Sequence, residues 1–196
     1  MNRQANIKRA TRETDIQVQF SLDGPGPVRV STGLPFCDHM LEAFARHGNF
    51  SLEIAARGDL EVDAHHTLED LGLVLGDALR EAVGDKAGIA RFGTAYVPMD
   101  EALARVCLDL SGRPCLAYRL DSPAVEVGGF HSRLFREFFQ AFVNRGGVTL
   151  HIDLLAGEEV HHAFEAVFKA FGRALDQATR LDPRSTGVLS TKGVLD

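Results

Sequence analysis

This chain is written twice, and that alone removes most folds from consideration. DAHHTLED, from Asp63 to Asp70, carries two adjacent histidines with a glutamate three residues after the second, and EVHHAFEA repeats the pattern from Glu159. The framework repeats with the motif, as a true duplication requires. An offset of 96 lays His65, His66, Leu68, Glu69, Leu71, Leu75 and Leu79 on His161, His162, Phe164, Glu165, Val167, Phe171 and Leu175. One step earlier the offset is 98, setting HGNFSLEI over RGGVTLHI and HMLEAF over EFFQAF, so the first half has the longer loop. Earlier still it is 88, pairing TRETDIQVQFSLDG with PMDEALARVCLDLSG, so that Glu13 falls on Glu101.

Each half therefore reads as extended segments, a helix, a strand and a second helix. Alternation puts Ile16, Val18, Phe20 and Leu22 on one face of a strand, and Val148, Leu150 and Ile152 on one face of another. The first helix starts after Gly33 with Pro35 in its opening turn and aligns Phe36, Met40 and Phe44. The second aligns Leu68, Leu71, Leu75, Leu79 and Ala82 and ends near Gly84. These patterns predict an α+β fold: two sheets, each covered on one face by two helices, packed together as one compact unit over residues 1–196. The halves are 1–88 and 89–180, because the junction GDKAGIAR is too short for a free linker. Residues 181–196 lack periodicity and read as an irregular tail.

At 196 residues and 45% hydrophobic content, the chain has enough material for one sizeable core. Its 21 Lys and Arg against 27 Asp and Glu give a net charge of −6, which argues against nucleic acid as a partner and leaves room for a small phosphate in a local basic pocket. Three cysteines without CxxC spacing suggest neither a disulfide framework nor a thiolate zinc site. No apolar run approaches the ~18 residues of a membrane span, and MNRQANIKRA has no apolar export core; the expected setting is cytoplasmic, with no membrane partner.

On a helix, neighbouring residues are turned by about 100°. His65 and His66 therefore point to different sides, with Glu69 one turn along from both, and the same holds for His161, His162 and Glu165. Each pair suits two ions with one imidazole apiece. Four imidazoles and two carboxylates match two metal centres of mixed nitrogen and oxygen ligation. A further ligand is expected from the first helix of each half, where His39 corresponds to Glu137. His131 has no counterpart in the other half and His151 lies in a strand alternation; neither is expected to ligate. The HExxH order of zinc proteases is absent. For an anion, the candidates are Arg91 in GIARFG, Arg113 in SGRP, Lys169 one turn beyond Glu165, and Ser190 with Lys192 in LSTKG.

Taken together, TRET, LDG, TGLPFCDHML, GDLEVDAHHTLEDLG, GDKAGIARFG, VPMDEALA, LDLSGRP, EFFQAF, TLHI, HHAFEAVFKAFGRAL and STKGVL make the chain resemble, essentially end to end, the imidazoleglycerol-phosphate dehydratase family of histidine biosynthesis. The resemblance implies a duplicated fold of the ribosomal protein S5 domain 2-like kind with helices between the two sheets. It also implies two manganese ions per active site and a homo-oligomer of 24 subunits with metal sites at subunit interfaces. Carried over position by position, the metal ligands are His39, His65, His66, Glu69, His161, His162 and Glu165, joined by Glu137, where another branch of the family has histidine. Arg91, Arg113, Lys169, Ser190 and Lys192 take the phosphate, residues 181–196 close over the substrate, and Glu13 is placed at the substrate. Leu189 departs from the proline that commonly precedes the serine.

The implied reaction, imidazole glycerol phosphate to imidazole acetol phosphate, removes a carbon-bound proton that no adjacent carbonyl acidifies. Metal charge at the ring nitrogens would favour expulsion of the neighbouring hydroxyl, while a carboxylate takes the proton from the next carbon. Glu13 is the first candidate for that carboxylate and Glu165 the second. The rivals are a di-metal oxidase or storage protein, which would place ExxH ligands on a four-helix bundle, and a non-catalytic assembly whose metals only join subunits.

Overall fold

The computed structural model describes residues 3–120, 125–185, 187–193 and 195. The first half runs β1 (Gln4–Ala10), β2 (Thr14–Ser21), β3 (Val28–Ser31), α1 (Pro35–His47), β4 (Ser51–Gly58) and α2 (His65–Val83). The second runs β5 (Phe92–Met99), β6 (Ala102–Asp109), β7 (Cys115–Arg119), α3 (Leu134–Gly146), β10 (Thr149–Ala156) and α4 (Val160–Thr179), with a small hairpin, β8 (Glu126–Val127) and β9 (Phe130–His131), inserted before α3. The sheets have the orders β1-β2-β4-β3 and β5-β6-β10-β7, identical once the halves are superposed in sequence. In each, the last pair is parallel and the rest antiparallel. The expected α+β duplication is the observed architecture, and the predicted strand faces are the buried ones.

Local sequence accounts for the helix ends. Gly33 takes φ +82°, which turns the chain into α1, and Pro35 occupies its first turn. Asp38 then folds back to accept from the Thr32 backbone N–H at 2.9 Å and from the Thr32 hydroxyl. In the other half, the Glu159 side chain caps α4 by accepting from the His162 backbone N–H at 2.8 Å. Gly84 at φ +63° ends α2.

The helices pair across the halves: α1 lies on α4 and α2 on α3, while α2 covers β1 and β2 and α4 covers β5 and β6. The helices thus lie between the two sheets. Glycines permit the close approach. A β-carbon at Gly172 of α4 would sit 2.2 Å from the Phe44 carbonyl oxygen of α1, and one at the corresponding Gly76 of α2 would sit 2.6 Å from the Phe142 oxygen of α3. Phenylalanines fill the seam. Phe44 stacks on Phe171 with ring centroids 4.8 Å apart, and Phe139, Phe142 and Phe168 continue the contact network. Buried apolar residues of both halves form one continuous cluster.

Candidate functional site

Loops and helix starts at the edge of this frame carry the candidate ligands. At the end of the α1 and α4 pair, Glu165 Oε2 lies 3.4 Å from His39 Nε2 and 3.2 Å from His161 Nε2. Among the described residues this is the only trio of metal-capable side chains whose ligating atoms all lie within 4.8 Å of one another. Phe36 packs its ring 5.2 Å from that of His161 and fixes one wall. Burial opposes ionisation of Glu165, but the Lys169 ammonium and His39 outweigh it and hold the carboxyl below its ordinary range. A carboxylate flanked by two imidazoles is a fitting start for a divalent transition-metal site.

The corresponding set at the α2 and α3 end is looser. His65 Nε2 stands 4.0 Å from Glu69 Oε2, and Glu137 on α3 faces Arg136 at 3.6 Å. Glu137 does not join His65 and Glu69 in a cluster within the chain. The adjacent histidines diverge as the helix geometry demands, with the rings of His65 and His66 at 81° and those of His161 and His162 at 84°.

The second histidine of each pair is oriented by a carboxylate. His66 Nδ1 donates to Asp59 Oδ2 at 3.0 Å, and His162 Nδ1 to Glu101 Oε2 at 2.7 Å. An imidazole tied at Nδ1 presents the Nε2 lone pair outward, which is how ligating histidines are commonly held. These bonds raise the pKa of both imidazoles, and that of Glu101 falls to about 2, with the His162 bond the largest cause. Sequence reasoning assigned no role to Asp59 and saw Glu101 only as the counterpart of Glu13. Their contacts span loops without periodicity, and only the offset alignment pointed to Glu101. Glu13 itself sits at the β1–β2 turn, more than half exposed, 4.0 Å from His66 Nδ1.

Apart from Lys169, the anion-binding candidates gather in a cavity of about 880 Å³ between the sheet end and the tail, lined by Arg91, Arg113, Arg184, Ser190, Thr191 and Lys192, among others. Arg91, at φ +71°, locks its guanidinium on Asp109 through Nε at 2.7 Å and Nη2 at 2.9 Å, and its Nη1 donates to the Leu189 carbonyl. The tail is stitched to the junction between the halves by Gly88 N–H to the Gly187 oxygen at 2.9 Å and Asp182 N–H to the Gly88 oxygen at 2.8 Å. Lys169 does not line this cavity; its ammonium lies 2.7 Å from Glu165 Oε1. Arg184 joins the cavity without having been singled out in the sequence.

A family model described as imidazoleglycerol-phosphate dehydratase matches residues 32–175. The chain belongs to this family. Imidazoleglycerol-phosphate dehydratase of Trichlorobacter lovleyi is 58% identical, and that of Geobacter metallireducens 55%, each over the full length of both chains. Crystal structures of the Staphylococcus aureus dehydratase and of IGPD from Pyrococcus furiosus superpose with TM-scores of 0.82 and 0.83 at 41% and 40% identity. They cover 91% and 96% of this chain and 99% and 100% of their own. The imidazoleglycerol-phosphate dehydratase match takes in every candidate metal ligand from His39 to Glu165. Glu13, Ser190 and Lys192 lie outside its bounds, but within the stretch shared with the full-length dehydratases. No helix among the described residues is long and apolar enough to cross a membrane.

Proposed function

We propose that this chain dehydrates imidazole glycerol phosphate to imidazole acetol phosphate in histidine biosynthesis, as a cytoplasmic, manganese-dependent hydro-lyase. The observation that carries the reading is the grouping of His39, His161 and Glu165, beside two further imidazoles whose Nδ1 atoms are already engaged; His65 and Glu69 stand more loosely at the equivalent place in the first half. This donor set fits two Mn²⁺ ions, held by His39, His65, His66, Glu69, Glu137, His161, His162 and Glu165. The three donors of the His39, His161 and Glu165 group leave a six-coordinate ion unsatisfied, and the imidazoles are partly exposed. Both facts favour completion by neighbouring copies in a homo-oligomer, for which 24 subunits is the proposed number.

When bound, the metals supply positive charge against the imidazole ring nitrogens as electrons shift through the ring. The chain's own residues do the rest. Arg91, Arg113, Ser190 and Lys192 take the phosphate, Lys169, held on Glu165 within the chain, meets it from a neighbouring copy, and the tail 181–196 shields the bound molecule. Glu13 accepts the proton from the carbon beside the one that bears the departing hydroxyl. That hydroxyl takes up the proton given up by the ring N–H and leaves as water, the proton on Glu13 returns to the ring nitrogen as the product forms, and the enol becomes the ketone by moving its hydroxyl proton to carbon. Glu165, tied to Lys169 and two imidazoles, is less free to move protons than Glu13.

The test is to incubate the purified protein with manganese and imidazole glycerol phosphate and look for the acetol product. Absence of product at full metal loading removes the enzyme reading and leaves a non-catalytic metal assembly or storage protein.

A further inference from the structure

The halves hold their second histidines with carboxylates from different places. Glu101, at the β5–β6 turn, takes His162 Nδ1 at 2.7 Å, and the backbone N–H groups of Glu159 and Glu158 donate to the same carboxylate at 3.0 and 3.4 Å. Glu13 occupies the equivalent β1–β2 turn but stops 4.0 Å short of His66 Nδ1. Asp59, just after β4, occupies that nitrogen at 3.0 Å. Carrying the offset of 98 between β4 and β10 one residue further sets Asp59 opposite Gly157, which has no side chain to offer. At Nδ1 the second half thus sets one carboxylate, Asp100 approaching His162 only at Nε2 from 3.6 Å, whereas in the first half both Asp59 and Glu13 face the same Nδ1.

We infer that Asp59 has taken over, in the first half, the imidazole-orienting role that Glu101 performs in the second, and that this frees Glu13 to meet the substrate. Asp59 is committed to His66: its Oδ2 holds the imidazole, and its Oδ1 is buried with no hydrogen-bond partner. Glu13 is fixed by its backbone and loose at its carboxylate. Its N–H donates to Thr11 Oγ1 at 3.0 Å, the Thr14 N–H donates to the same hydroxyl at 2.9 Å, and the Thr14 hydroxyl donates to the buried Asp70 of α2. The turn is anchored to the helix that carries His65, His66 and Glu69, while the acid it bears keeps its lone pairs. Asp59 is a positioning residue. The part concerning Glu13 rests on the proposed reaction; the part concerning Asp59 and His66 rests on metal binding alone.

Manganese affinity of the assembled protein, read from the electron paramagnetic resonance signal of free Mn²⁺ and by calorimetry, separates the roles. Asp59→Asn and Glu101→Gln should each weaken manganese binding by about 10- to 100-fold, the usual cost of losing the partner that orients a ligating histidine. Glu13→Gln should leave the affinity within about twofold while lowering kcat. Asp59→Gly reproduces the glycine of the second half and lets Glu13 inherit His66. In that background Glu13→Gln should gain an effect on manganese affinity that it lacks alone, a coupling that loss of fold would not produce. The inference is overturned if Glu13→Gln weakens manganese in the otherwise unaltered protein as much as Asp59→Asn does, or if Asp59→Asn leaves the affinity unchanged. A protein that binds manganese with this pattern yet forms no product keeps the Asp59 assignment and sinks the reaction.

Discussion

Lys169 sets its ammonium 2.7 Å from Glu165 Oε1 along one turn of α4, while the other oxygen of that carboxylate faces His39 and His161. The pair is mostly shielded from water, with side chains 17% and 12% exposed. Removing the cation leaves a largely buried carboxylate with its charge less compensated, which costs about 1–3 kcal/mol for an unmade charged hydrogen bond. Lys169→Met should therefore lower the stability of the metal-free protein by that amount in urea unfolding. Lys192→Met, at an exposed residue of the tail cavity, should leave it unchanged within about 0.5 kcal/mol.

Arg91 commits two of its nitrogens to Asp109, and its third donates to the Leu189 carbonyl. Arg113 shares the cavity with it. A charged hydrogen bond to phosphate is worth about 1.5–3 kcal/mol, so Arg113→Ala should raise KM at least about tenfold with kcat far less affected. Inorganic phosphate should inhibit the unaltered enzyme competitively and the variant much more weakly. An unchanged KM would remove Arg113 from the phosphate site.

The helix seams tolerate no added methyl group. At Gly172 the β-carbon of alanine would meet the Phe44 carbonyl oxygen at 2.2 Å, a backbone atom that only a shift of α1 can relieve. Gly172→Ala and Gly76→Ala should each cost on the order of 1–3 kcal/mol through overpacking, measured as a fall in the denaturation midpoint. If both variants match the parent, the backbones of α1 and α4, and of α2 and α3, do not touch at these glycines.

Metal binding should weaken in acid. Asp59 raises the pKa of His66 and Glu101 that of His162, so both imidazoles hold protons at a higher pH than an ordinary histidine near 6.5. A ligating imidazole must be neutral, so protons compete with manganese from above that value downward. Affinity should fall as pH drops through this range, with proton release on binding detectable in weakly buffered titrations. Flat affinity between pH 8 and about 5.5 would rule out histidine ligation as the main hold.

Element types and both HHxxE helices were legible because burial imposes periods of 3.6 and 2 on residues such as Leu68, Leu71, Ile16 and Val18. The exchange of helix partners was not: α1 could have packed on α2 within its own half, and the facing of Gly172 on Phe44 and of Gly76 on Phe142 shows otherwise. Among site residues, the histidines and glutamates announced themselves through repetition. Asp59 did not, because it lies in a loop whose counterpart has glycine, and its meaning depends on a hydrogen bond to His66. Lys169 was expected near the anion from helical spacing alone. Spacing fixes the face but not the partner, and within the chain that partner is Glu165.

Because each helix seam draws one member from either half, neither half alone can cover the helix faces that meet at the seams. Two fragments cut at the junction, 1–88 and 89–196, should be poorly folded apart and recombine on mixing, which a shift in the circular dichroism of the mixture would reveal. A half-length ancestor would have met the same demand by pairing with a second copy about a twofold axis. Fusing the two genes turned an association that depends on concentration into one that does not. It also released the copies from identity, so that Glu13 and Glu101, or His39 and Glu137, could thereafter accept different mutations at what had been a single genetic position.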